Sequence, residues 1–176
     1  MRAWLTALIF MAPAFETHAE QIPTSLRGKS LVLSWSDSRT VRDMADHQKN
    51  VDQTSEMKLY VSDAGRVFSQ FDRQAGHGSK TLTQVSGAPD NYLHWRFEGG
   101  TLTADQQFTK GARRVSISFS EGFRNCSIKV LHGKQVGAQT IHYRDYNTDV
   151  EYEILTIAVT STSCSIQQGN VFGGSQ

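Results

Sequence analysis

The side chains with most chemical potential are five histidines downstream of the N-terminal segment: His47, His77, His94, His132 and His142. A zinc ion needs about four converging ligands, commonly announced by a close pair of ligating residues. No H-x-H or H-x-x-x-H pair occurs and neither cysteine has a ligand neighbour, so no metal and no cofactor is expected. Ser55-Glu56-Met57-Lys58 fits the S-x-x-K pattern of penicillin-interacting enzymes, but the companion S-D-N and K-T-G motifs are absent and the match reads as chance. Neither a G-x-S-x-G elbow nor a phosphate-cradling glycine loop is present. Glu151 and Glu153 could face each other as a glycosidase pair does. On an alternating strand, however, they read as its wet side. Asn125-Cys126-Ser127 matches a glycosylation acceptor, discounted because its central residue is a disulfide candidate. No catalytic residue is assigned, and a non-catalytic protein is expected.

The aromatics are more suggestive. Trp35, Trp95, Phe97 and Phe119 all fall on the apolar phase of alternating runs. In a sandwich such residues are core. In a barrel of eight or more strands the same positions line an interior that can hold a small apolar ligand. Trp35, Leu59, Trp95 and Phe97 are the candidate lining.

The elements that must position them are strands. Val115, Ile117 and Phe119 alternate with serines, Glu121 to Asn125 supplies turn chemistry, and Cys126, Ile128 and Val130 resume the alternation, which makes a hairpin with one dry face. Leu31, Leu33 and Trp35 mark an earlier strand, Met57, Leu59 and Val61 another, and Leu93, Trp95 and Phe97 a third. Ser62-Asp63-Ala64-Gly65 and Gly99-Gly100 are hairpin turns. Val136 to Tyr143 reads as a strand and Asp145 to Asp149 as a turn. The last strand changes phase twice. Tyr152 and Ile154 give way to Leu155, Ile157 and Val159, and Cys164 and Ile166 shift again, which predicts a β-bulge or a strand buried on both sides, and then a bend toward Cys126. Residues 37–56 are strongly polar and read as a mobile loop or short helix over Val41, Met44 and His47, and residues 72–80 read as an exposed loop. The fold class is all-β: a single antiparallel meander closing as an up-and-down β-barrel, with a β-sandwich as the alternative.

The chain has 176 residues, and its first 19 have the layout of a secretory signal peptide: Met1-Arg2, an apolar run from Ala3 to Ala12, and small residues at Thr17 and Ala19. The run is about half the roughly 20 residues a membrane span needs. No cysteine lies near the cut, which excludes a lipid-bearing N-terminus, and no later segment is apolar enough to span a membrane. Residues 20–176 suit one domain. With 17 basic against 16 acidic residues after cleavage, the chain lacks the basic surface that nucleic acid or an anionic membrane selects. Lys110 to Arg114, the one basic cluster, reads as a solvated strand entrance. Cys126 and Cys164, the two cysteines, predict one disulfide in an oxidising compartment.

Gly28-Lys29-Ser30 ahead of Ser34-Trp35-Ser36, Tyr60-Val61-Ser62 with Gly65 to Phe68, Gly111 to Arg114, Cys126-Ser127, and Cys164-Ser165 with Gly169 to Phe172 together resemble small exported proteins of rhizobium-like alphaproteobacteria. The likeness spans most of residues 28–172. It implies a periplasmic or secreted home and brings no catalytic residue with it. A looser likeness, of architecture alone, is to lipocalin-like barrels through Gly28 and Trp35. The reading is an exported β-domain, monomeric, that binds a small apolar or amphipathic ligand inside a barrel. The alternative is a module that contacts an envelope protein or glycan through residues 37–56 and 72–80.

Overall fold

The structure, a computed structural model, describes residues 21–75, 78–85, 93–108, 111–137, 142–144 and 149–173. The expected signal peptide (1–19), His77, the turn residues 87–90 and residues 145–148 lie outside them. Ten strands follow in order: β1 Lys29–Arg42, β2 Gln48–Val61, β3 Val67–Ala75, β4 Gly78–Val85, β5 Leu93–Glu98, β6 Thr101–Phe108, β7 Gly111–Phe119, β8 Cys126–His132, β9 His142–Arg144 and β10 Glu151–Gln168. The only helical pieces among the described residues are short 3₁₀ turns at Thr24–Leu26, Glu121–Phe123 and Gly133–Val136.

The strands form two antiparallel sheets, one of six in the order β4-β3-β2-β1-β10-β9 and one of four in the order β5-β6-β7-β8. Neither closes on itself among the described residues, so the expected closed barrel is not formed by these pairings and a sandwich fits equally. Every pairing joins sequence neighbours except one, in which the last strand, β10, pairs along most of its length with the first, β1.

The turns obey the local chemistry. Gly65, at φ 76°, closes the β2–β3 hairpin, where Ser62 N donates to Arg66 O at 2.9 Å. Gly99 and Gly100, at φ 55° and 75°, close β5–β6 as the two left-handed residues such a turn requires. Between β7 and β8, Ser120 and Asn125 close the loop by a 3.0 Å backbone hydrogen bond.

Both phase changes in the last strand are bulges. The register of β10 on β1 skips Thr160 between the pairs Ser36–Ser161 and Asp37–Val159, and skips Leu155 between Thr40–Thr156 and Val41–Ile154. Each bulge re-aims the strand by one residue, so Ile154, Ile157, Val159 and Cys164 all stand on the face that β1 turns inward. Cys164 thereby meets Cys126, and the disulfide ties the edge of the four-stranded sheet to β10 of the other with a Cα separation of 5.6 Å. Closing 38 residues stabilises by roughly 3–4 kcal/mol in the chain-entropy model.

Three expectations are corrected. Residues 37–56 are not a loop or helix: they are the second half of β1, a tight turn and the first part of β2. In that turn Asp43 Oδ1 accepts from the backbone N–H of Ala45 and of His47, both at 2.9 Å, and Met44 is exposed at the tip. Residues 72–75 and 78–80 likewise continue β3 and open β4. Val136 ends a 3₁₀ turn and does not open the expected 136–143 strand, whose last two residues, His142 and Tyr143, begin β9; residues 138–141 lie outside the described ones.

Candidate functional site

The interior is layered along β1. Leu31, Leu33 and Trp35 point into a large apolar cluster with Met57 and Leu59 of β2, Phe71 of β3, Leu102 of β6 and Ile117 of β7. Val41, at the other end, joins Val51, Tyr152 and Ile154 in a smaller one. Between them the same inward phase of β1 carries Asp37 and Arg39, 1% and 8% exposed. The strand period of two carries these side chains inside whatever their polarity.

Register builds the rest of this layer. On the four-stranded sheet Gln106, Arg113 and His132 are directly paired across β6, β7 and β8, and all three are buried. On the six-stranded sheet Asp37 pairs with Gln53, and Ser55 stands between Trp35 and Arg73. Gln53 Nε2 donates to Ser55 Oγ at 3.0 Å. His132 and Arg113 reach across this layer from sheet to sheet. His132 Nε2 lies 3.9 Å from Asp37 Oδ2, and the Arg113 guanidinium sits 4.1 Å from the Phe71 ring centre and 5.2 Å from that of Trp35. Trp35 and Phe71 stack at 5.7 Å, forming an aromatic wall under that cation.

Arg39 forks onto Asp37, with Nε to Oδ1 at 2.5 Å and Nη2 to Oδ2 at 3.2 Å. Arg113 Nη2 donates to Gln106 Oε1. Burial, followed by the charge of Arg39, pushes Arg113 down to about 9, against the attraction of Asp37, so the guanidinium stays charged at neutral pH. Burial, then Arg113 and Arg39, pushes His132 down to about 3 and keeps its ring neutral. Around Asp37, the one carboxylate of this group among the described residues, stand the guanidiniums of Arg39 and Arg113, with Arg73 near enough to act on Arg113. Buried ring nitrogens without a hydrogen-bond partner among the described residues include Trp35 Nε1, Trp95 Nε1 and His132 Nε2.

The four candidate lining residues come together. Trp35, Leu59 and Phe97 are buried in the large cluster, and Trp95 packs against it half-buried. The layer above them was missed. The sequence reads Asp37, Arg39 and Gln53 as part of a polar loop or short helix and Arg113 as part of a solvated basic cluster, whereas Arg113 is 4% exposed and its neighbour Arg114 faces out. His132, read as part of a turn, ends β8 inside, with its backbone N–H held by Gln135 Oε1 at 3.2 Å. The signal available was the unbroken alternation Leu33, Trp35, Asp37, Arg39, Val41.

The other chemistry disperses. Ser55 is inward and Lys58 pairs with Glu56 at 3.2 Å on the outer face, so the S-x-x-K residues lie on opposite sides of β2. Glu153 pairs with Arg42 at 2.6 Å and Glu151 with His142 at 3.3 Å. His47 rests on Asp43 at 3.3 Å. Among the described residues no three His, Cys, Asp or Glu side chains converge as a metal site requires, and no helix is long and apolar enough to cross a membrane. Comparison with protein-family models, with curated proteins and with solved structures finds no match for this chain.

Proposed function

We propose that this is an exported, non-catalytic β-domain, cleaved after Ala19, that binds a small apolar or amphipathic ligand in the interior between its sheets. The observation that carries the reading is the charged layer. A protein built only for stability gains nothing from it, because buried ion pairs replaced by apolar side chains of similar volume leave stability unchanged or improved. Here an Asp, two arginines and a histidine occupy the interior beside Trp35 and Phe71, directly above the cluster that holds Leu59, Trp95 and Phe97.

The strand succession supports a barrel-like enclosure, since β10 returns to pair with β1 as the closing pair of an up-and-down barrel would. The disulfide is compatible with an extracytoplasmic compartment. The alternative is a module that contacts an envelope protein or glycan through residues 37–56 and 72–80, whose described residues are largely strand with Asp37, Arg39, Gln53 and Ser55 turned inward.

Native mass spectrometry of residues 20–176, exported with the disulfide formed and purified without detergent, tests the reading. A discrete extra mass that leaves on denaturation is the expected result, and Trp35→Ala should abolish it in a protein that stays folded. A clean apo mass, with no change in tryptophan fluorescence on adding dodecanol, would overturn it.

A further inference from the structure

We infer that the interior is entered sideways, through a seam between β8 and β10 at Thr162, and that the Cys126–Cys164 disulfide limits how far this seam opens. As a route for a ligand the seam rests on the reading above; as an opening in the wall it stands on its own observations. β8 is the last strand of its sheet, and β9 borders β10 only along Glu151–Glu153. Past Glu153 no ladder joins β10 to β8 among the described residues. The two strands are neighbours all the same. The disulfide brings their backbones to a Cα separation of 5.6 Å, and Ile128 of β8 packs against the same large cluster as Val159 and Ile166 of β10.

Water reaches the seam from both strands. Along β10 the inward phase is paired with that of β1, where Leu33, Trp35 and Asp37 are 0–1% exposed. Their partners Cys164 and Val159 are only half-buried, and Thr162, directly opposite Trp35, is exposed. On β8, Cys126 and Ile128 are half-buried, although Ile117, the β7 partner of Ile128, is fully buried. In either sheet a single step inward from the seam therefore leads from water to the core. Parting two laddered strands breaks a row of backbone hydrogen bonds. Parting β8 from β10 disturbs only side-chain packing that water already touches, and local opening follows the places with few buried apolar contacts. The covalent bridge, itself half-buried, then sets the limit of that movement.

The first test needs no ligand. Trp95→Phe leaves Trp35 the sole tryptophan of residues 20–176, and its quenching by acrylamide reports passage through the wall. In that background Thr162→Phe, which places a ring at the seam on the inward phase, should lower the quenching rate several-fold. Ser163→Phe, the same ring one residue on and on the outward phase, should leave it unchanged. Removing the bridge by Cys126→Ser with Cys164→Ser should raise quenching several-fold, and adding Thr162→Phe should bring it down again. A general loosening of the fold would not be reversed in this way. With dodecanol as the probe, Thr162→Phe should slow uptake and release together and leave Kd near the parent value. Equal quenching in Thr162→Phe and Ser163→Phe would overturn the seam and leave the ligand reading standing. The expected quenching pattern without any dodecanol binding would overturn the ligand reading and leave the seam standing. Should the double-serine variant fail to fold, Thr162→Phe against Ser163→Phe in the bridged protein decides alone.

Discussion

The two halves of β1 enter the same interior on the same phase with almost the same burial. Leu31, Leu33 and Trp35 are 0–1% exposed, and Asp37 and Arg39 are 1% and 8% exposed. Their energetics are opposite. In the first half each apolar side chain contributes about 1.5–3 kcal/mol by leaving water. In the second half each charge loses its hydration and is recovered only through a partner: Asp37 through the Arg39 fork, Arg113 through Gln106 and the Phe71 ring. Contacts in the apolar half should therefore add, whereas those in the charged half should be all-or-none.

The strongest way to break that contrast is to remove one partner at a time. Arg39→Met strands the Asp37 carboxylate inside and should cost about 3–5 kcal/mol. Adding Asp37→Leu to it should recover part of that loss, since the Asp37–Arg39 pair is then removed whole, although Arg113 stays buried and charged without the attraction of Asp37. In the apolar half Leu59→Ala should cost about 3 kcal/mol by loss of transfer energy and a residual cavity. Combining it with a second apolar truncation should only lower stability further. Urea unfolding of the single and double variants reads all of these. A double variant as unstable as Arg39→Met alone would mean that the ion pair itself stabilises the fold, and the contrast would collapse.

The same contrast decides what the sequence could reveal. Wherever the inward phase is apolar, as at Leu31 to Trp35, Met57 to Val61 and Val115 to Phe119, alternation identifies the strands and single residues mark the glycine turns, and the first phase change of β10 marks a bulge, while the second, which reads as a bend, is a bulge as well. Wherever the inward phase is charged, as at Asp37, Arg39, Gln53 and Arg113, hydropathy no longer alternates and the segments looked like loop or solvated surface. The charged layer is therefore the part of the molecule that pattern reading was least able to find. Its composition also depends on register across β6, β7 and β8, which brings Gln106, Arg113 and His132 side by side and which no local pattern encodes.

A smaller effect sharpens the comparison through pH. His132 is held at about 3 in the folded protein against 6.5 ordinarily, chiefly by burial and then by Arg113 and Arg39. Below pH 6.5 the unfolded chain takes up a proton that the folded chain refuses until about pH 3. Stability therefore rises with pH across that window and is lost on acidification, by about 1.4 kcal/mol per pH unit. Between pH 7 and pH 5 the loss should be about 2 kcal/mol, and His132→Gln should flatten it. The interval from pH 7 to pH 5 lies above the range in which the depressed carboxylates Asp43, Asp105 and Glu153 withdraw their own contribution, which is present above their unfolded values and lost as pH falls through their folded ones. Nothing in the apolar half titrates, so a slope that survives His132→Gln in this window would place the proton uptake elsewhere.

The smallest effect comes from adjacent residues of one strand. Arg113 and Arg114 share a backbone, a charge and a side-chain type, and β7 sends one inside and the other out. Arg114 Nε binds Asp105 Oδ1 at 2.5 Å, and Arg96 Nη2 takes Oδ2 at 2.6 Å. Partial burial raises Asp105, but the hydrogen bonds from Arg114 and Arg96 outweigh it and leave the carboxyl below its ordinary value. In Arg114→Gln, Asp105 keeps Arg96 and regains water, so unfolding in urea should record a loss below about 1 kcal/mol that shrinks further in ~1 M salt, where exposed charges are screened within about 3 Å. Arg113 has no access to water, and a comparable change there should be insensitive to salt. If the two variants share one salt dependence, the interior layer is hydrated and the distinction between the faces of β7 is lost. If only Arg114→Gln responds, identical side chains one residue apart differ in energetic role solely through the face on which the strand period places them.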